Sequence, residues 1–337
     1  MKSKCLLISL LFIGLLSCET DDKRENEKDS SKENAEVVSA PSNEQDDTVN
    51  GEEGAADDEE VTPPVYIQEG ALSGVFTVSE TKKVRFSKGN LQYQASTKTW
   101  RFAEYQYDIV GIGYEETNDY CFIGGTILSS DNRKISSTYN GWIDLFGWGT
   151  GANPTLATDD SNNYLNFVDW GENKISNGGN VANVWRTLSP SEWYYLLRVR
   201  PQAKNKAGIA CVGGINGLVI LPDNWKLPSG FQFTPGLDME HNYGAYDNWG
   251  VDYYKEINNY TKLDWQVMEK AGAIFLPAAG YRVNTSVYTV GGYGYYWSSE
   301  NYNAKSAYFM EFQSGNLNPS NFYERSYGRS VRLCVDL

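Results

Sequence analysis

The strongest constraint on this chain is the uneven spread of its aromatic residues. Residues 65–337 carry 46 of the 47, including all ten tryptophans, whereas Glu19 to Thr62 carries none. A stretch without aromatic or periodic apolar residues cannot bury enough surface to offset the entropy of ordering. The same stretch holds 17 acidic residues against four basic ones, a net of −13. Residues 19–64 are therefore expected to form a disordered acidic linker that repels itself and extends. The whole chain is at −14, yet residues 63–337 hold 26 acidic and 23 basic residues and are nearly neutral. A nucleic-acid partner is excluded by the lack of a clustered basic stripe in that domain, and total charge carries no weight there.

Residues 1–18 read as a secretory signal. Lys2 and Lys4 precede an apolar run from Leu6 to Leu16 that is too short to span a bilayer. Leu15-Leu16-Ser17-Cys18 is similar to a bacterial lipobox, which implies lipidation at Cys18 and attachment to the outer membrane. An ordinary signal peptide with an incidental cysteine is the plainer alternative. Glu19-Thr20-Asp21-Asp22 resembles the acidic export signal of surface-exposed lipoproteins, and any acidic tether would produce it too. Asp47-Thr48-Val49 resembles a short O-glycosylation acceptor motif.

Residues 65–337 are expected to form one domain. Val75–Val78, Lys83–Phe86, Leu91–Gln94 and Lys98–Phe102 alternate with a period of two, as short antiparallel strands do. Ser189-Pro190-Ser191-Glu192 is a capping box with proline at the first helical position. Thr261-Lys262-Leu263-Asp264 opens a second helix that Gly272 closes. Leu218–Leu221 and Ala273–Leu276 are apolar runs expected as buried strands. Tyr295–Ser298, Ala307–Phe312 and Ser330–Cys334 return to the strand pattern. Two helices among many short strands give an α+β fold.

Trp185-Arg186-Thr187-Leu188-Ser189-Pro190-Ser191-Glu192-Trp193-Tyr194-Tyr195 and Gly328-Arg329-Ser330-Val331-Arg332-Leu333 resemble segments of formylglycine-generating-enzyme-like domains. Those domains have a C-type-lectin-like fold. Tyr295-Tyr296-Trp297-Ser298-Ser299 with Ala307-Tyr308 is also similar to the major-paralogous-domain lipoproteins of gut bacteria. The resemblance covers about residues 140–337 and implies a C-type-lectin-like domain on a surface lipoprotein. Residues 71–111 resemble the amino-terminal part of such proteins, with no function attached.

Little in the sequence points to catalysis. Copper chemistry in the enzyme family uses a pair of cysteines near the C-terminus, and here Cys334 has no second thiol close by. Cys121, Cys211 and Cys334 allow at most one disulfide, and small buried cysteines are the simpler reading. The calcium triplets of C-type lectins do not occur, although Asp159-Asp160 and Asp169 are carboxylates in loops, and Asp223-Asn224-Trp225 carries the residue types of one triplet in reverse order after a turn expected at Pro222. Glu192 is accounted for by its cap, and His241, the single histidine, sits in a polar stretch. No catalytic residue, metal ligand or cofactor is expected.

Function is expected at the C-terminal surface. Residues 284–328 contain eight Tyr, six Asn and seven Ser, a composition that gives large contact area and adaptable hydrogen bonds. The candidate ligand-binding residues are Trp297, Asn301, Tyr302, Asn303 and Ser306 before one strand, and Asn316, Asn318, Asn321, Phe322, Tyr323 and Tyr327 in a loop before the last. Turn-forming Asn and Ser with packed Tyr is the plainer alternative, and Trp297 flanked by strand residues suits a core. Positions 293–327 also resemble the variable segment of diversity-generating-retroelement proteins. The expectation is a surface lipoprotein that binds a glycan or protein ligand without catalysis. An oxidase of the formylglycine-generating type and a fimbria-associated structural protein are the rivals.

Overall fold

The computed structural model describes residues 66–111, 130–236 and 252–337. The signal segment with Cys18, the acidic linker, Cys121 and His241 lie outside the described residues.

The first strands fall where alternation placed them: β1 (Phe76–Thr77), β2 (Lys83–Phe86), β3 (Leu91–Gln94) and β4 (Thr99–Phe102). β5 (Trp142–Ile143) pairs with β3, so that the order is β4-β3-β5. β6 (Arg186–Thr187) leads into α1 (Pro190–Tyr194). The expected capping box is present: Glu192 N donates to Ser189 Oγ (3.2 Å) and Ser189 N donates to the Glu192 carboxylate (2.8 Å). These bonds satisfy donors that a helix start leaves unpaired. A wide turn over Tyr195–Val199 extends α1, closed by Arg200 N donating to Tyr195 O at 2.9 Å.

β7 (Ala207–Val212) and β8 (Ile215–Ile220) form a hairpin. α2 (Asp252–Ile257) and β9 (Asn259–Tyr260) follow, then α3 (Lys262–Lys270) with the expected Thr261–Asp264 box. Gly272 adopts φ +100° just beyond α3, a conformation that favours glycine. β10 (Ile274–Pro277) completes a sheet of order β10-β8-β7-β9, in which β7 and β9 run parallel. Every residue of β7, β8 and β10 is buried. One face, with Ile209, Leu218, Ile220, Ile274 and Leu276, joins the core that holds Phe86 and Trp193. The other, with Ala210, Val212, Val219 and Phe275, packs on Trp265 and Met268 of α3. Burial on both faces explains why these strands read as unbroken apolar runs.

The C-terminal part is built from β11 (Tyr281–Val283), β12 (Ser286–Tyr288), β13 (Gly294–Asn301), β14 (Ser306–Gln313), β15 (Asn316–Glu324) and β16 (Leu333–Asp336). β11 pairs with β12, and β13-β14-β15 is an antiparallel sheet. β16 inserts between β2 and β6, tying the end of the chain to the start of the domain. The fold is α+β, mostly antiparallel, with three α-helices among the described residues. Two helices were expected. The third, α2, has six residues, too few for an apolar period to announce it. The described residues include no helix long and apolar enough to cross a membrane.

Candidate ligand-binding surface

The two faces of the β13-β14-β15 sheet have different fates. Register places Tyr296 opposite Met310 and Leu317 opposite Phe312. These four enter the core beneath α1. On the opposite face Trp297 lies across from Phe309, and Tyr295 across from Glu311. Trp297 is only 1% exposed, and its Nε1 donates to Phe146 O at 2.7 Å. It belongs to a core with Trp148, Trp170 and Trp185, which corrects its expected place among the ligand-binding residues. A strand flanked by apolar core on this side leaves an indole nowhere else to go.

The second candidate run is also corrected. Asn316, Asn318, Asn321, Phe322 and Tyr323 lie on β15, a nine-residue strand, and not in a loop. The misreading has a chemical cause: asparagine and proline are poor strand formers, but here they serve the strand's outer edge. Ser320 N donates to Asn318 Oδ1 (3.1 Å) and Phe322 N to Asn321 Oδ1 (2.9 Å), while Pro319 has no N–H to offer. Asn321 Nδ2 donates to Glu311. Asn303 Oδ1 accepts from Lys305 N and Ser306 N (both 2.8 Å) and shapes the β13–β14 turn. Arg325, buried at 3%, clamps that turn: it donates to Asn303 O and to Tyr164 O, and lies 4.6 Å over the Trp148 ring. For Asn303, Asn318 and Asn321 the turn-and-edge role therefore holds, and Asn301 and Asn316 sit at strand ends.

The aromatic candidates separate into two groups. Tyr302 stacks on Phe322 (centroids 3.7 Å apart) with Tyr308 edge-on, at the tip of the sheet. Tyr323 and Tyr327 join a larger array. Tyr327 stacks on Tyr281 (5.5 Å, 12°), which stacks on Tyr288 (5.3 Å, 24°) and meets Tyr295 edge-on (5.5 Å). Tyr295 stacks on Tyr293 (5.7 Å, 3°), and Tyr323 meets Tyr327 edge-on (5.0 Å). Six tyrosines from three separate segments thus converge. Two backbone bridges bring them together: Arg282 pairs with Gly328 through reciprocal bonds of 2.8 and 2.7 Å, and Arg329 pairs with Phe146. Alternation turns Tyr281 outward while Arg282 is fully buried, donating to Leu145 O and Asn284 O.

Beneath the array lies Arg329, 2% exposed. Its guanidinium carbon is 3.8 Å over Phe309 and 4.8 Å over Trp297, and 5.1 and 5.6 Å from Tyr295 and Tyr327. Its Nε has no hydrogen-bond partner among the described residues. The quadrupoles of four rings stand in for one. Burial lowers the Arg329 pKa to about 10. Burial, then neighbouring Tyr323, pushes Tyr327 up to about 12, and burial raises Tyr281 and Tyr295. The phenols stay protonated at neutral pH and present donors. Glu311 is also raised, by burial, against the lowering effects of Asn321 and Arg329.

Tyr281, Tyr288, Tyr293, Tyr295 and Arg329 were not among the expected site residues. The i, i+2 spacing of Tyr293 and Tyr295 was the available signal, because it puts both on one face of a strand. Nothing local joins Tyr281 to Tyr327.

Of the carboxylates considered for calcium, Asp160, Asp169 and Asp223 have other duties. Asp160 caps the turn at Ser161–Tyr164, and Asp169 caps Trp170–Glu172 and accepts from Thr187 N (3.0 Å). Asp223 accepts from Thr77 Oγ1 (2.6 Å) and pairs with buried Arg200. Glu192 pairs with Arg186 at 2.7 Å, which also holds Asp336. Cys211 and Cys334 are both buried, and burial raises the Cys334 pKa well above the usual thiol range.

Residues 254–334, from α2 to β16, match a family described as a domain of unknown function, DUF8237. No curated protein matches the chain, and no solved structure does.

Proposed function

We propose that this chain is an outer-surface lipoprotein, anchored through Cys18, whose C-type-lectin-like domain binds a ligand at the tyrosine array without catalysis. The observation that carries this reading is the convergence of Tyr281, Tyr288, Tyr293, Tyr295, Tyr323 and Tyr327 from three segments around one caged arginine. Packing alone does not require phenols there, since phenylalanine would stack as well. The geometry favours a protein partner over a glycan. Sugars lie on open ring faces, whereas Tyr281, Tyr288 and Tyr327, like Tyr293 and Tyr295, turn their faces toward one another. What such a stack offers outward is ring edges and hydroxyls, the polar comb used by antibody-like paratopes.

The rival readings meet specific obstacles. A thiolate enzyme needs a reactive cysteine, and Cys334 is fully buried with its pKa raised. Fimbrial assembly by strand addition needs an open edge, and the Asn-capped, proline-bearing edge of β15 is blunted.

Changing Tyr281, Tyr323 and Tyr327 together to Phe tests the reading on protein and glycan arrays probed with the full chain. Loss of three hydroxyl bonds is expected to weaken a protein ligand about tenfold or more. A ligand set consisting only of glycans, bound undiminished by the Phe variant, would point to face stacking instead.

A further inference from the structure

A second aromatic recess shares no residue with the tyrosine array. It is a cleft of about 710 Å³, lined by Gln92 of β3, Arg101 of β4, the segment after β4 (Glu104, Tyr105 and residues 107–111), Trp142 of β5, and Lys262 and Gln266 of α3. On its wall the Arg101 guanidinium lies 3.7 Å over the Trp142 ring. Its Nε donates to Oε1 of buried Gln92 at 2.9 Å. Stacking and this bond fix the guanidinium plane. The terminal nitrogens Nη1 and Nη2 have no hydrogen-bond partner among the described residues. Here an arginine has been immobilised while two parallel donors are left over. Tyr105, 45% exposed, stacks on Tyr107 (5.3 Å, 2°), so one of its ring faces is clear of Tyr107.

We propose that this cleft binds a ligand bearing a single carboxylate, with Arg101 Nη1 and Nη2 donating to its two oxygens and the Tyr105 and Trp142 rings flanking the group that carries it. Planar bidentate donors match a carboxylate, and a fixed fork loses little entropy on binding. The lining charges select against more highly charged anions: Arg101 and Lys262 stand against Glu104, Asp108 and Asp131. Asp131 pairs with Lys134 (2.7 Å) and Asp108 accepts from Tyr105 N (2.9 Å), while burial lowers the Arg101 pKa and the charges of nearby Asp108 and Glu104 oppose that shift, so a ligand carboxylate competes with these two acids for the fork. With Asp131 paired to Lys134 the remaining lining charges balance, so a phosphate dianion finds no excess of positive charge, whereas a carboxylate matches the fork in both charge and geometry. Such a carboxylate could be a sugar acid or a peptide C-terminus.

Titration of the full chain, followed by calorimetry, separates these sources. The probes are glucuronate, a short aromatic peptide with a free C-terminus, their neutral amides, and inorganic phosphate. Saturable binding is expected for at least one of the two carboxylates, about tenfold or more tighter than for its amide or for phosphate. Arg101→Gln should abolish that preference, and Arg101→Lys, which keeps the charge without the fork, should lose most of it. Tyr105→Ala, at a half-exposed side chain, should weaken the carboxylate ligand without affecting folding. No saturable carboxylate binding by the unmodified chain would overturn the proposal. So would equal affinity for acid and amide, tighter binding of phosphate, or binding unaffected in folded Arg101 variants. The tyrosine variants are expected to leave this binding unchanged, so the two sites can fail separately.

Discussion

Two sheets in this domain share a mainly antiparallel build and behave differently. The β10-β8-β7-β9 sheet is covered by α3 on one side and by the core around Trp193 on the other. The β13-β14-β15 sheet buries Tyr296, Met310 and Phe312 on one face, while its other face passes from buried Trp297 to half-buried Tyr295 and Glu311 and exposed Tyr323. The first has no free face on which a ligand could settle. The second grades from core to solvent, and the tyrosine array gathers along that gradient. A sheet's second face decides whether it can carry a site, and strand patterning records which case applies.

The sharpest way to break this contrast is to truncate each sheet in turn. Phe275→Ala in β10 and Trp297→Ala in β13 should each cost about 3–5 kcal/mol in denaturant unfolding, because both leave cavities in close-packed cores. A cost under ~1 kcal/mol for Trp297→Ala would return that residue to the surface.

Next in size is the pH dependence of Glu311, the carboxylate facing Tyr295. Burial raises its folded pKa above the unfolded value. The folded state therefore binds the extra proton, and stability should increase as pH falls through the raised value toward the ordinary glutamate range. Glu311→Gln, which keeps an acceptor for Asn321, should flatten that part of the profile in urea unfolding at several pH values. An identical slope in both proteins would move the carboxylate into solvent.

Ser189→Ala, which removes the cap of the helix supporting β13-β14-β15, should cost roughly 1 kcal/mol. The smallest effect belongs to Tyr323→Ala, within about 0.5 kcal/mol, because the side chain is half exposed. Its influence should appear in binding and not in unfolding.

Much of the fold was legible because its signals are local. The Ser189–Glu192 and Thr261–Asp264 boxes, Gly272 after α3, and the apolar runs of β8 and β10 each rest on contacts within a few residues. β15 was misread because its asparagines and Pro319 look like a loop until the strand's outer edge is seen to use them. The site was half legible for a similar reason. Tyr323 and Tyr327 announce themselves by composition, whereas Tyr281 and Arg329 join them only through the Arg282–Gly328 and Phe146–Arg329 bridges, which link residues far apart in sequence. Arg101 gave no sign either, since its significance depends on Trp142, some forty residues further along the chain.

The most direct measurement is the affinity of the full chain for a protein ligand found on the array, compared with that of the Tyr281→Phe, Tyr323→Phe, Tyr327→Phe triple variant. Removing only hydroxyls should leave folding intact and weaken binding about tenfold or more. Equal affinity in a folded triple variant would contradict a recognition surface made of tyrosine edges.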